Sequence, residues 1–436
     1  MALAAGARRV LAIGALSVVM LLWGTHLAYP LQRLQHIRWT FAGHVIPVYY
    51  FFIVFPMLGA GAAALALRPR PSKWMLAWLF LPLICIPGIL SSSDPLWSVR
   101  QWSSWIVRGV VPGGIIFLLC DQRARVWLLR WIYPIIIVAA FLGLAELYIN
   151  DNPIVDRAFI DIPPVAQQDA PFYRPMYQSY SVFRSLRPQG TQGNRVPYAA
   201  LILAFLPLGI WLLKYEKRFY RAQLLGVGGL ASILLLAQVR AVWVGLSAAV
   251  LFALSTGLLK GFRGSARIAG WGALCLCVLL LLPKTRTMLS DRFRSFNAEE
   301  ISVRTRLDVL QTAAVLKDRW LAGVGFGQFP AECRRYYHSD MPWSGTPDNQ
   351  YLRWAIENGV VSLGLLSAFL FWVVRSGLQR VRSMRDARQA DFYRSLLVGW
   401  GGLAVSFLFF DGFYWGACNM TFWSLLGMFA TCLENT

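Results

Sequence analysis

The run VPYAALILAFLPLGIWLL, residues 196–213, is one of the apolar stretches that decide the fold of this chain. A helix of about 20 apolar residues crosses a hydrocarbon core roughly 30 Å thick. Similar runs of roughly 16 to 22 residues recur along a chain of 436 residues that is 57% hydrophobic and 14% charged, with a mean hydropathy of +0.50. Because the runs are continuous and do not alternate, they exclude a transmembrane β-barrel. The sequence predicts an all-α polytopic membrane protein.

Polar breaks between the apolar runs predict about twelve transmembrane helices, near residues 10–28, 46–67, 74–91, 102–120, 128–148, 196–213, 224–238, 243–259, 268–283, 359–378, 395–411 and 419–433. The first run follows basic residues as in a signal peptide, but without a convincing small-residue cleavage site we interpret it as a span. The predicted parts are N-terminal helices (1–148), a loop (149–195), central helices (196–283), a large loop (284–358) and C-terminal helices (359–436).

The distribution of basic residues predicts the orientation. Every second short loop is basic, which places those loops and both termini in the cytoplasm and the loops 149–195 and 284–358 outside. About half of the 42 Lys and Arg residues then lie on the outer side, where no charge bias requires them, and this excess indicates an anionic ligand. Positive charge spread over both faces of a bilayer argues against nucleic acid as a partner. The seven cysteines lie mostly in apolar runs without a CxxC pair, so we interpret them as packing residues.

The large loop concentrates the residues suited to chemistry on an anion. Its basic side chains are Lys284, Arg286, Arg292, Arg294, Arg304, Arg306, Arg319, Arg334, Arg335 and His338. The apolar spacing within residues 303–321 predicts a helix, and the GVGFG sequence at 323–327 then breaks it. A glycine loop that binds a nucleotide would follow a strand and open a helix, so we interpret this one as a tight turn that permits close backbone approach.

Arg240 stands between two apolar runs, at or just inside the membrane surface. Such an arginine is costly and usually pairs with a partner or faces a polar cavity, although a side chain that only snorkels to the interface fits the same position. His338 could accept a proton from a hydroxyl nucleophile, or could simply be solvated. Asp348 and Asn349 precede a predicted span, where they could supply a base or the N-cap of a helix.

Motifs for other catalytic strategies are missing from the sequence. There is no Asp-x-Asp pair on an outer loop, no Walker motif and no G-x-S-x-G elbow, so we expect neither a metal nor another cofactor. Catalysis would depend on arginines that neutralise a leaving phosphate and on one base that activates the acceptor. This chemistry suits a lipid-pyrophosphate donor.

Several short motifs occur in a recognisable order: RPQGTQGN at 187–194, RAVW at 240–243, RTR at 304–306, GVGFGQF at 323–329, NQYL at 349–352 and ENG at 357–359. Together they resemble the O-antigen ligase and polymerase family of bacterial inner-membrane proteins. The resemblance implies a glycosyltransferase of the C type, with a large periplasmic loop over a lipid-accessible cavity. The implied reaction transfers a glycan from undecaprenyl pyrophosphate to a sugar hydroxyl, usually of the lipid A core.

The resemblance also implies roles for individual residues. Two arginines would engage the pyrophosphate, namely Arg240 and one of Arg304 or Arg306, with Arg187 at a further basic motif position. Asn349 lies in the matching Asn-x-x-Leu motif, but the family's histidine before it is replaced here by Asp348. Either Asp348 or His338 would therefore be the base.

Two other functions stay open. An O-antigen or exopolysaccharide polymerase would differ only in its acceptor, a second lipid-linked repeat. A flippase for the same lipids would require charged residues buried within the spans and an internal repeat, and the sequence shows neither clearly.

Overall fold

The structure is a computed structural model that describes residues 2–27, 38–41, 44–47, 54–67, 72–149, 195–216, 220–237, 239–258, 307, 309–311, 313–336 and 347–433. The predicted span at 268–283 and the interior of the predicted loop 149–195 lie outside these residues.

Almost all described elements are helices. They are α1 (Ala2–Leu27), α2 (Phe55–Ala66), α3 (Lys73–Leu90), α4 (Pro95–Leu119), α5 (Gln122–Ile149), α6 (Arg195–Tyr215), α7 (Tyr220–Leu236), α8 (Arg240–Thr256), α9 (Phe329–Arg334), α10 (Gln350–Asn358), α11 (Val360–Arg382), α12 (Ala387–Phe409) and α13 (Gly416–Leu433). The helical fold class is confirmed. A short antiparallel hairpin, β1 (Arg38–Phe41) paired with β2 (His44–Pro47), is the exception. Only its last two residues, Ile46 and Pro47, fall within the span predicted at 46–67, and Val45 and Ile46 favour a strand.

Within the described residues, six helices are long and apolar enough to cross a membrane: α3, α4, α6, α11, α12 and α13. Five shorter apolar helices, Val10–Gly24, Phe55–Ala66, Trp127–Gly143, Gln223–Leu236 and Arg240–Thr256, lie at other predicted spans. The long helices differ in burial. In their most apolar windows, α6, α12 and α13 are 83%, 72% and 94% buried, whereas α3 and α11 are 39% and 28% buried. The first three therefore form the core, and α3 and α11 lie at the periphery.

Close approach of small residues holds the core helices together. A Cβ atom on Gly399 of α12 would lie 2.1 Å from the carbonyl oxygen of Ala204 in α6. A Cβ atom on Gly427 of α13 would lie 2.2 Å from the carbonyl oxygen of Gly113 in α4. In the absence of a hydrophobic driving force between helices in lipid, such backbone contacts provide the packing energy. The cysteines described by the structure are buried and unpaired, as predicted: Cys85, Cys120, Cys333, Cys418 and Cys432.

We name the two ends of the bundle by their residues. The upper end carries Ser92, Arg240, Asn349 and Asp411, and the lower end carries Asp121, Lys214 and Asp386. Gly325 connects Ser92 to Asp411. A Cβ atom on Gly325 would meet Ser92 Oγ, and its backbone N–H donates to the carbonyl oxygen of Glu357, which shares Arg353 with Asp411.

The lower end contains buried charges that the sequence did not lead us to expect. Asp391, 3% exposed, accepts hydrogen bonds from Lys214 Nζ at 2.6 Å and Arg394 Nη1 at 2.8 Å. Arg125, also 3% exposed, donates to the hydroxyl of Tyr393. Each of these charges has a polar partner, so burial does not leave it uncompensated. They tie the lower ends of α5, α6 and α12 into one unit.

Candidate active site at the upper end

Arg240 is the first residue of α8, directly after Val239 in extended conformation. The predicted break between apolar runs is thus a real helix boundary. One turn further on, a Cβ atom on Gly245 would lie 2.6 Å from the carbonyl oxygen of Gly402 and 3.1 Å from Cβ of Ser406. The start of α8 therefore packs beside the upper end of α12. The side chain of Arg240 is half-buried, which places its charge at the boundary of the apolar core.

Asn349 is the N-cap of α10. Its Oδ1 accepts hydrogen bonds from the backbone N–H groups of Tyr351 at 3.1 Å and Leu352 at 3.0 Å. The interpretation of Asn349 as a cap is thereby confirmed, and its Nδ2 is not needed for that role. Asp348 precedes it with φ of +47°, in the left-handed region that few residues other than glycine adopt. Such strain persists only where the surroundings impose it, and it is frequent at functional sites.

The start of α10 is fixed to the upper part of α12 and to the link between α12 and α13. The hydroxyl of Tyr351 donates to the carbonyl oxygen of Ala404 at 2.8 Å. The backbone N–H of Phe413 donates to Oε1 of Gln350 at 2.8 Å. The same end of α12 packs against the start of α8, so Arg240 and the Asp348–Asn349 pair stand at the same end of the bundle.

A buried ionic network lies directly below this cap, and the sequence analysis missed it. Arg353 donates from Nε to Glu357 Oε1 at 2.9 Å and from Nη1 to Asp411 Oδ2 at 2.5 Å. The three side chains are only 7%, 2% and 6% exposed. The hydroxyl of Tyr414 donates to Glu357 Oε2, and its ring lies 3.4 Å from Cζ of Arg353 in a cation–π contact.

The charges in this network support one another. Burial alone would lower the pKa of Arg353, but Glu357, Tyr414 and Asp411 outweigh it and raise that pKa. Burial, with a further contribution from Glu357, raises the pKa of the Tyr414 hydroxyl despite the opposing effect of Arg353. Tyr414 therefore stays a neutral donor. One arginine then faces two carboxylates, and their mutual attraction binds α10 to the link after α12.

The GVGFG sequence forms the tight turn that was predicted. Gly323, Gly325 and Gly327 have φ of +91°, +113° and +77°. A Cβ atom on Gly323 would lie 2.4 Å from the carbonyl oxygen of Glu357, so no larger residue fits. The N–H of Val324 donates to the carbonyl oxygen of Ile356 and the N–H of Gly325 donates to that of Glu357, both at 2.9 Å. The turn thus lies against the end of α10.

The structure describes only part of the remaining predicted loop and site residues. Residues 307, 309–311 and 313–315 are helical and lead into a 3₁₀ turn, Leu316–Arg319, in agreement with the helix predicted at 303–321 as far as the description extends. Arg187, Arg304, Arg306 and His338 lie outside the described residues. In the part of the chain that the structure describes, no group of three His, Cys, Asp or Glu side chains could hold a metal ion.

Two signals in the sequence could have revealed the buried network. Arg353 and Glu357 have the i,i+4 spacing at which opposite charges meet on one helix face. Asp411 is an isolated carboxylate between two apolar runs, a position that requires a partner. The pairing of Arg353 with Asp411, 58 residues apart, needs the fold.

The fold and this end of the bundle define a helical membrane protein with a polar, arginine-bearing site where apolar helices end. Residues 225–369 match the family model described as O-antigen ligase, which confirms the resemblance indicated by the motifs. The match includes Arg240, Arg304, Arg306, His338, Asp348 and Asn349, and Arg187 lies before it. It supports a membrane glycosyltransferase of the ligase or polymerase type. No curated protein matches the chain.

Proposed function

We propose that this protein transfers a glycan from undecaprenyl pyrophosphate to an acceptor hydroxyl at the periplasmic face of the bacterial inner membrane. The acceptor we propose is the lipid A core, which makes the protein an O-antigen ligase in lipopolysaccharide biosynthesis. The observation that carries this proposal is the position of Arg240, within the matched region and at the upper end that also holds Asp348 and Asn349.

In the proposed reaction the acceptor oxygen attacks the anomeric carbon of the lipid-linked sugar. The bond from that carbon to the pyrophosphate oxygen breaks, and undecaprenyl pyrophosphate leaves with the electron pair. Arg240, together with Arg304 or Arg306 and with Arg187, neutralises the charge that develops on the leaving group. The acceptor proton passes to His338 or Asp348. This scheme uses no metal ion and no nucleotide.

Asn349 would serve the site in a second way. Its Oδ1 is committed to the cap, which leaves the two donors of Nδ2 to face a substrate oxygen. We therefore retain Asn349 as a binding residue. A side chain fixed by its own cap costs little further entropy when it binds a ligand.

The topology that we propose has about twelve spans with the upper end in the periplasm. The described lower end carries the basic residues Arg375, Arg380, Arg382, Arg385 and Arg388, which suits a cytoplasmic face. Both termini would then be cytoplasmic. Residues 149–195 and 284–358 would be the periplasmic loops.

The test is glycan transfer in membranes of a strain that lacks the native copy of the gene. Arg240→Ala should abolish transfer while the protein still inserts and accumulates. Arg375→Ala, which removes an exposed arginine from the lower end of α11, is the matched control and should transfer normally. Normal transfer by Arg240→Ala would remove the central claim.

Two further experiments assign the base and the acceptor. Asp348→Asn and His338→Gln, made separately, should identify the base, because only one of them should lose transfer. Gel analysis of surface polysaccharide after deletion separates the ligase from the polymerase. A lost ligase leaves long polymer on the lipid carrier, whereas a lost polymerase leaves at most single repeats.

A further inference from the structure

Two arginines meet on one buried carboxylate at the upper end. Arg335 Nη1 lies 3.1 Å from Oε1 of Glu332, and Arg319 Nη1 lies 3.6 Å from its Oε2. The side chain of Glu332 is 1% exposed, whereas those of Arg319 and Arg335 are 53% and 60% exposed. The carboxylate therefore holds both guanidinium groups from below and leaves much of each open.

This arrangement suits an anion. Each guanidinium has five N–H donors in a rigid fork, and the two oxygens of Glu332 cannot satisfy ten donors. Two arginines against one carboxylate leave a net positive charge, and the adjacent Arg334 is exposed as well. Phosphate and diphosphate groups accept such forks in a bidentate manner.

The arginine pair stands at the upper ends of two peripheral membrane helices. The hydroxyl of Ser93, three residues after α3 ends, donates to Glu332 Oε1 at 2.7 Å. The backbone N–H of Val360, the first residue of α11, donates to the carbonyl of Trp320 at 2.7 Å. A Cβ atom on Gly88 would lie 3.4 Å from the carbonyl oxygen of Ala322. The segment after Arg319 therefore crosses the upper ends of α3 and α11.

An apolar groove runs between the same two helices. It has a volume of about 380 Å³ and is lined by Ala77, Phe80, Leu81, Ile84, Leu365, Ala368, Phe369 and Trp372. The small side chains of Ala77 and Ala368 leave room for it. At its lower end Trp372 stacks on Trp74, with ring centroids 4.0 Å apart, which limits the groove in that direction. From Leu365 to the start of α11 is about 7.5 Å along the helix axis, and the first residue of α11 bonds to Trp320, the residue after Arg319.

A charged site above an apolar groove in a lipid-facing surface matches one kind of ligand. We propose that Arg319 and Arg335 bind the phosphate or diphosphate headgroup of a membrane lipid whose chain lies in the groove between α3 and α11. The occupant is a lipid because both helices are long and apolar enough to span the membrane and are the least buried of the six. The headgroup is anionic because the site is cationic. Binding there requires neither Arg240 nor the transfer reaction.

The test uses farnesyl diphosphate as the probe, with pyrophosphate and farnesol as its two halves, and purified full-length protein in detergent. We expect farnesyl diphosphate to bind at least tenfold more tightly than either half. R319Q/R335Q should weaken it at least tenfold, and A368L, which fills the groove, should weaken it without changing the affinity for pyrophosphate. R375Q/R382Q removes two exposed arginines from the lower end of α11 and should have no effect.

An additional arm separates this site from the proposed transfer site. Since the proposed transfer site would also hold a polyprenyl diphosphate, R319Q/R335Q is compared with its parent in an Arg240→Ala background, where the substitutions at Arg319 and Arg335 should still weaken probe binding at least tenfold. If Arg240→Ala loses the probe while R319Q/R335Q binds within twofold of wild type, the ligand lies at the transfer site and the proposal is wrong. If R319Q/R335Q fails to accumulate because Glu332 is left without a counter-charge, R319Q/E332Q/R335Q removes that charge and the same comparison is made with it.

Discussion

Replacement of Arg353 by methionine should destabilise the upper end strongly. The change leaves Glu357 and Asp411, at 2% and 6% exposure, as two buried carboxylates without the cation that faces them. Removal of one partner from a buried pair costs about 3–5 kcal/mol. At about 1.4 kcal/mol per factor of ten, the unfolding constant should rise roughly 10²- to 4 × 10³-fold.

Asp411→Asn should cost less, because Arg353 keeps its bond to Glu357. The loss of one charge-assisted hydrogen bond is worth about 1.5–3 kcal/mol. The informative variant is R353M/E357Q/D411N, which removes all three charges and preserves approximate side-chain volume. Since replacement of a whole buried ionic group is often close to neutral, the triple variant should be more stable than Arg353→Met alone.

The assay is reversible unfolding by dodecyl sulfate in mixed micelles, followed by tryptophan fluorescence. With R353M/D411N added, the unfolding free energies of Arg353→Met, Asp411→Asn and this double variant form a cycle that isolates the coupling between the two charges, and the triple variant extends it to Glu357. Arg375→Met, an exposed arginine on the lower part of α11, controls for loss of one positive charge. If Arg353→Met is no less stable than the triple variant, the buried charges are not coupled as described and the reasoning fails.

Three further experiments, on Asn349, Gly359 and Cys333, test the surroundings of this network. Asn349→Ala removes the cap of α10 and should cost about 0.5–2 kcal/mol in the same assay, whereas Asn349→Asp, which preserves the cap, should cost less. Gly359→Ala should destabilise by about 1–3 kcal/mol, since φ is +88° and the new Cβ would lie 2.2 Å from the carbonyl of Leu321. Burial, reinforced by Glu357, raises the pKa of Cys333 to about 12, so iodoacetamide at pH 8 should leave it unmodified by mass spectrometry until the protein is unfolded.

The membrane helices could be predicted from the sequence because their length and composition are local properties. An apolar run and a polar break suffice to place a helix, and the start of α8 at Arg240 agrees with the predicted break. The turn at Gly323–Gly327 was equally predictable, since three alternate glycines allow backbone conformations that other residues resist. The cap by Asn349 follows from a side-chain preference at one position. Each of these features can be predicted from residues that are neighbours in the sequence.

The buried charges could not be predicted in the same way because they depend on partners distant in the chain. Asp391 meets Lys214 across 177 positions, and Asp411 meets Arg353 across 58. A sequence shows the cost of a charge among apolar residues but not the residue that compensates it. The hairpin at 38–47 was missed because a short apolar, β-branched run such as Val45 and Ile46 fits a strand as well as the approach to a span.

The buried network connects stability to the proposed chemistry. Asp348 keeps a left-handed backbone at φ of +47°, and such a conformation lasts only if the residues on either side are held in place. On its C-terminal side it is held by the cap of Asn349, and α10 in turn is held by Arg353 against Asp411 and by Tyr351 against Ala404. A carboxylate on a rigid backbone can contact a substrate with little further loss of conformational entropy. Where Asp348 rather than His338 is the proposed base, loss of the Arg353 network should therefore impair transfer by displacing Asp348 even in protein that remains folded.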